Sequence, residues 1–167
     1  MSLASLIEDR RLIICVGSGG VGKTTTAAAM GLFAAKEGRR VLVLTIDPAR
    51  RLANSLGLTQ FGNEETQIQL DSSIKGELWA MMLDTRSTFD SLIERVSPDE
   101  STKDRILSNR VYRHIADSFG GSQEYMATEQ LYDVVNSGRY DLVILDTPPV
   151  KNALDFLESP GRLSRFL

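Results

Sequence analysis

Gly17-Ser18-Gly19-Gly20-Val21-Gly22-Lys23-Thr24 lies between an apolar run, Leu12 to Val16, and an alanine-rich stretch, Thr24 to Lys36. A short apolar run ending in glycine reads as a buried strand. The stretch after the loop carries Met30, Leu32 and Phe33 among its alanines and stops near Gly38, so it reads as a helix with a glycine at its C-terminal end. The octapeptide between them matches G-x-x-x-x-G-K-[ST] at every fixed position. Each requirement of that pattern has a physical cause. Glycines admit left-handed backbone angles and let the main chain approach a ligand closely. Successive N–H groups then point into one concavity that favours an anion, and the helix start adds the positive end of its dipole. Lys23 supplies a mobile ammonium for β- and γ-phosphates, and the Thr24 hydroxyl is an oxygen donor of the kind Mg2+ prefers. The bland alternative is a chance match in a glycine-rich turn. A strand before it and a helix after it argue against that alternative.

Outward from the loop, Val41 to Ile46 is a second buried strand, and Arg50 to Leu56 reads as a short helix ending before Gly57. Phe61 to Lys75 is polar and turn-rich and yields no element. Leu78 to Leu83 is a third strand, in which Trp79 and two methionines read as core filler rather than a ligand box. Leu142 to Leu145 is a fourth, closed by Asp146. Between the last two, Phe89, Leu92, Ile93 and Val96 recur at helical spacing, as do Leu107, Val111 and Ile115, and then Ala127, Leu131, Val134 and Val135. These stripes predict a helical insertion over residues 84–139, with Gly120-Gly121 breaking it; its apolar faces could pack on the sheet or serve a partner, and packing on the sheet is the expectation. The expected class is α/β: a mostly parallel sheet of four strands flanked by helices, with the insertion between the third and fourth strands. Residues 1–167 read as the N-terminal part of a single domain. Helix-like sequence runs to Leu167, so the natural protein is expected to continue.

Composition narrows the function classes. A hydrophobic fraction of 42% and a charged fraction of 25% favour a folded globular chain. A net charge of −3 gives no overall drive toward nucleic acid or an anionic membrane. Cys15 is the only cysteine, so neither a disulfide framework nor a cysteine-rich metal cluster can form within the chain. It reads as a small buried core residue, and a cytoplasmic, reducing compartment is the default. No apolar run is long enough to span a bilayer.

Two carboxylates extend the site. Asp146 closes an apolar strand, where a carboxylate can hold Mg2+ as a Walker-B aspartate does. Asp47 closes the strand Val41 to Ile46. Both fall at strand carboxyl ends, where α/β folds gather ligands, although either alone would pass for a cap or turn residue.

Gly19 to Thr25, Thr45-Ile46-Asp47-Pro48-Ala49 and Asp146-Thr147-Pro148-Pro149, with the tail Asn152 to Leu157, resemble the ArsA-type anion-transporting ATPase family, which includes the tail-anchored-protein targeting ATPases. The resemblance spans residues 11 to 167. It implies a MinD-like P-loop fold, ATP as substrate with Mg2+, and a nucleotide-gated homodimer acting with a client or membrane partner protein. Nucleotide contacts would come from Gly17, Ser18, Gly19, Gly20, Val21, Gly22, Lys23, Thr24 and Thr25. Lys23 and Asp47 would be catalytic, Asp47 orienting the attacking water. Thr24, Asp47 and Asp146 would form the metal set, Asp146 opening the second switch segment. The sequence departs from the family at Ser18, where relatives carry a lysine that reaches the partner's nucleotide. It also lacks a Cys-x-x-Cys and the cysteines of arsenite pumps.

Two other readings stand beside an ATPase switch. A nucleotide-dependent binding module with negligible hydrolysis is motivated by Ser18. A ParA-like partitioning ATPase on DNA is opposed by the acidic balance, and no nucleic acid is expected. His114, the only histidine, lacks a neighbouring ligand. Arg50-Arg51, Glu124, Glu129 and Asp133 read as solvated helix residues.

Overall fold

The computed structural model describes residues 3–46, 51–57, 62, 64–83, 93, 94, 96–109, 112 and 130–149. Its strands are β1 (Leu12–Cys15), β2 (Arg40–Thr45), β3 (Thr66–Ile68), β4 (Glu77–Met82) and β5 (Leu142–Asp146). Its helices are α1 (Leu3–Asp9), α2 (Lys23–Lys36), α3 (Arg51–Leu56), α4 (Glu100–Ser108) and α5, residues 130–136. The strands form one five-stranded sheet in the order β1-β5-β2-β4-β3, parallel except for β3.

The continuous apolar runs of β2 and β5 follow from cover on both sheet faces. Val41, Val43, Leu142 and Ile144 join Leu78, Ala80 and the buried side of α2 in one core. Leu42, Leu44, Val143 and Leu145 point the other way and meet Leu131 and Val134 of α5. Helix α2 lies close on the sheet because its buried residues are small: Ala27, Ala28, Gly31, Ala34 and Ala35, with Met30. It stops at Gly38, whose φ is 90°. The Arg39 N–H reaches the Ala34 carbonyl at 3.1 Å and the Gly38 N–H reaches Ala35 at 3.0 Å, the paired bonds of a Schellman ending.

Two elements differ from expectation. The polar stretch over residues 61–75 contains β3, a fifth strand paired antiparallel with β4 from Thr66↔Ala80 to Ile68↔Leu78. Residues 84–139 accordingly lie between the fourth and fifth strands. Helix α1 precedes the first strand. Its Ile7 is 2% exposed in the core, and the Arg39 guanidinium donates to the carbonyls of Ile7, Arg10 and Asp141, so its C-terminal carbonyls are capped from outside. The entrance to β5 is held by a polar clamp. Arg139 makes two bonds to Glu65, at 2.5 and 2.6 Å, and the Tyr140 hydroxyl donates to Glu65 Oε2 at 2.9 Å. Trp79 packs edge-on to Tyr140 at 6.5 Å, a core role as expected. Burial first, then the bond to Glu65, pushes the Tyr140 pKa up.

The predicted packing of the apolar stripes holds for Leu131, Val134 and Val135. It does not hold for Val96, which is 65% exposed, and α4 buries no residue; its Asp99 cap accepts from the Thr102 N–H at 2.7 Å. Phe89, Leu92, Val111, Ile115 and Ala127 lie outside the described residues, as do His114, Arg50, Glu124, Glu129 and the 152–157 tail; Asp133 is exposed, as expected.

A methyl group at Gly31 would sit 2.7 Å from Val43 Cγ2, whereas one at Gly76 would sit 2.3 Å from the Arg39 carbonyl oxygen and one at Gly62 would meet nothing within 4 Å. Gly31→Ala is therefore expected to cost about 1–3 kcal/mol of unfolding free energy. Gly76→Ala should cost more, because backbone cannot step aside as a side chain can, and Gly62→Ala should be near neutral. Urea unfolding midpoints of the three variants check the ranking, and equal midpoints would refute it.

Candidate functional site

The glycine-rich loop joins β1 to α2 at the carboxyl edge of the sheet. Gly20 and Gly22 have φ of 78° and 88°, the left-handed region that a side chain disfavours. Gly22 is the N-cap of α2, and no side chain caps that first turn. The loop is open: Ser18, Gly19, Gly20 and Gly22 are exposed, Gly17 is half-buried, and Val21 is 61% exposed at the tip. Lys23 folds its ammonium back over the loop and donates to the Ser18 carbonyl at 2.9 Å. Thr25 is exposed beside Thr24 on the first turn.

Strand β5 brings Asp146 to this loop. It runs between β1 and β2, so Asp146 is register partner to both Cys15 and Thr45. The residue has no solvent exposure. Its Oδ2 accepts from the Thr24 hydroxyl at 2.7 Å and from the Thr45 hydroxyl at 3.1 Å. Thr147, next in the chain, donates its hydroxyl to the Cys15 carbonyl at 2.8 Å and its N–H to the same oxygen at 3.2 Å. Pro149 comes back over the loop, where a Cβ on Gly19 would lie 3.7 Å from its ring.

The structure thus brings together the loop, Lys23, Thr24 and Asp146. Asp47 lies outside the described residues; β2 leads toward it through Ile46, whose N–H donates to the Asp146 carbonyl at 3.2 Å. Two kinds of neighbour were missed in the sequence. Thr45 is visible there as a residue near the end of a strand and the first of the stretch Thr45 to Ala49, but its partner depends on register. Asn54 and Ser55 of α3 border a 380 Å³ cleft with Gly20, Lys23 and Thr25, and the only sequence signal was their place on the short helix after Asp47.

A Thr24 hydroxyl and an Asp146 carboxylate in contact are hard oxygen donors, and they fit Mg2+. Among the described residues no group of three or more His, Cys, Asp or Glu could hold a metal. These two donors suit an ion that keeps waters and takes its other oxygens from phosphates. Cys15 is half-buried rather than buried. Desolvation, with the Asp146 charge beside it, raises its pKa to about 11, against a smaller lowering by Lys23. Among the described residues no helix is long and apolar enough to cross a membrane.

A family model described as anion-transporting ATPase matches residues 10–167. The chain is 29% identical over 168 residues to the ATPase GET3 of Malassezia globosa, covering 99% of this chain and 48% of that protein. It is 30% identical to the ATPase get3 of Aspergillus terreus over 99% of this chain and 48% of that one. It is 30% identical to the ATPase ASNA1 homolog 1 of Paramecium tetraurelia, covering 99% and 49%. The chain spans about half the length of the curated relatives it matches.

The raised pKa of Cys15 leaves little thiolate at pH 8. Alkylation by iodoacetamide, followed on the Cys15 peptide by mass spectrometry, should run about 100-fold slower than for an unperturbed thiol, since the thiolate is the nucleophile. Labelling at the rate of an unperturbed thiol would contradict the burial seen here.

Proposed function

Because the chain belongs to the anion-transporting ATPase family, we propose that the whole protein binds MgATP at residues 17–25 and hydrolyses it, coupling nucleotide state to the conformation of a homodimer and to binding of a client or membrane partner protein. The observation that carries this reading is the 2.7 Å contact between the Thr24 hydroxyl, at the start of α2, and the Asp146 carboxylate, at the end of β5. It joins the glycine loop to a second strand end at the place where a phosphate-bound cation would need both donors.

The division of work follows from the chemistry of each group. Loop N–H groups and the helix start favour the phosphates. Lys23 exchanges the Ser18 carbonyl for phosphate oxygens and offsets charge that spreads over the transferred phosphoryl group. Thr24 and Asp146 would hold Mg2+, which when bound neutralises phosphate charge. Asp47 orients the attacking water and completes the metal set. Thr147 and Pro149, tied to Cys15 and packed over Gly19, begin a segment that nucleotide state would reposition. Residues 84–139 would form a helical insertion in a domain to which this chain contributes the N-terminal part. The protein would act in the cytoplasm and without nucleic acid.

A second reading rests on Ser18. Its side chain cannot reach a partner's nucleotide as a lysine would, which favours a nucleotide-dependent binding module with negligible hydrolysis. Phosphate release measured across protein concentrations separates the two. Specific activity that rises with concentration supports a dimer-activated enzyme, and no turnover at any concentration supports the module.

In the full-length protein, Lys23→Ala should weaken MgATP binding by about 100-fold, the scale of a lost bond between charged groups. Asp47→Asn should keep binding within about twofold and lose turnover, because an amide preserves shape but not the charge that orients water. Calorimetry and phosphate release read the two effects. Wild-type affinity in the first variant, or wild-type turnover in the second, would remove the assigned role.

A further inference from the structure

We propose that Thr45 is a positioning residue for the metal-nucleotide site, its hydroxyl fixing the Asp146 carboxylate in the orientation that Thr24 meets. The inference rests on the MgATP reading above. Asp146 Oδ2 accepts two hydroxyls that come from different elements, Thr24 of α2 and Thr45 of β2. Their circumstances differ. Thr24 belongs to the first turn after an exposed loop and has to serve a ligand. Thr45 is 1% exposed in the middle of the sheet.

Its backbone is held on both sides. The Leu83 N–H donates to its carbonyl at 2.8 Å, and Ile46 donates to the Asp146 carbonyl at 3.2 Å. A β-branched side chain on such a backbone has restricted χ1, so the hydroxyl is fixed before any ligand arrives. A carboxylate with no exposure depends on such donors for the hydrogen bonds that water cannot reach it to make. Thr45 therefore aims the carboxylate while Thr24 adjusts to the cation. It also lies two residues before Asp47, so the same strand end that aims Asp146 launches the segment carrying the water-orienting residue.

Thr45→Val keeps the shape and removes the hydroxyl, whereas Thr45→Ser keeps the hydroxyl and removes a methyl group. Mg2+ is titrated into the full-length protein carrying a fluorescent ADP analogue, a readout independent of turnover. Thr45→Val should raise the Mg2+ concentration at half-saturation about tenfold, the scale of one hydrogen bond to a charged group, and leave metal-free ADP affinity within about twofold. Thr45→Ser should return the midpoint to within about threefold of wild type. Where the valine variant lacks a cooperative thermal transition, Thr45→Ala against Thr45→Ser gives the same comparison. An unchanged midpoint in the hydroxyl-free variant overturns the inference, as does a serine variant no better than valine. A wild-type protein that binds no ADP analogue at any Mg2+ concentration overturns instead the MgATP reading on which it rests.

Discussion

Two hydroxyls converge on one oxygen of a carboxylate that has no contact with solvent, and the path of β5 makes that convergence possible. The strand comes last among the described strands yet runs between β1 and β2. Leu142 to Leu145 fill both faces of the sheet, so the next residue is delivered at the strand end beside the loop. A slip of one residue would turn that side chain to the opposite face and exchange the two apolar sets that meet α2 and α5. The register that packs the core therefore also places the acid. A buried carboxylate without donors would cost several kcal/mol or take up a proton, at about the scale expected for an uncompensated ionised group. The two hydroxyls supply such donors.

Rigidity and openness are divided along the same axis. The central strands are fully covered, and α2 is drawn onto them by Gly31 and its alanines, which fixes where its N-terminus points. The loop above is exposed from Ser18 to Gly22 and bends through two left-handed glycines. An anion can approach main-chain N–H groups there without moving the frame that aims them. At the opposite approach to β5, the Arg139–Glu65–Tyr140 clamp and the Arg39 cap hold the chain as it enters. Arg139 is half exposed, so that clamp contributes geometry more than energy.

Features set by neighbouring residues were readable in the sequence. The loop with its flanking strand and helix, the buried runs and Asp146 at the end of one all declare themselves within a few residues. Features set by distant partners were not. Strand β3 is three residues long, too short for alternation to register, and exists through its pairing with β4. Helix α1 relies on Arg39, far along the chain, for its C-terminal carbonyls. Thr45 opens the stretch Thr45 to Ala49 that carries the resemblance, but its bond to Asp146 is a matter of cross-strand register. The order of the strands, and with it the meeting of Thr24 and Asp146, is a tertiary outcome that periodicity cannot express. Asn54 and Ser55 belong to the same class: ordinary helix residues until the cleft beside the loop is seen.

Ser18 shows how far the local chemistry can be separated from any partner. The Lys23 ammonium rests on the carbonyl of that residue, at 2.9 Å, and a carbonyl is present whichever side chain stands there. Replacing the family's lysine by serine thus leaves the resting place of Lys23 intact. The bonds that Thr24 and Thr45 make to Asp146 do not involve position 18 either. What the serine removes is a cationic charge on the exposed rim of the loop. A compact ammonium with three rotatable donors can exchange one oxygen acceptor for another at little cost. Binding of phosphates within one chain is therefore compatible with Ser18 on these contacts.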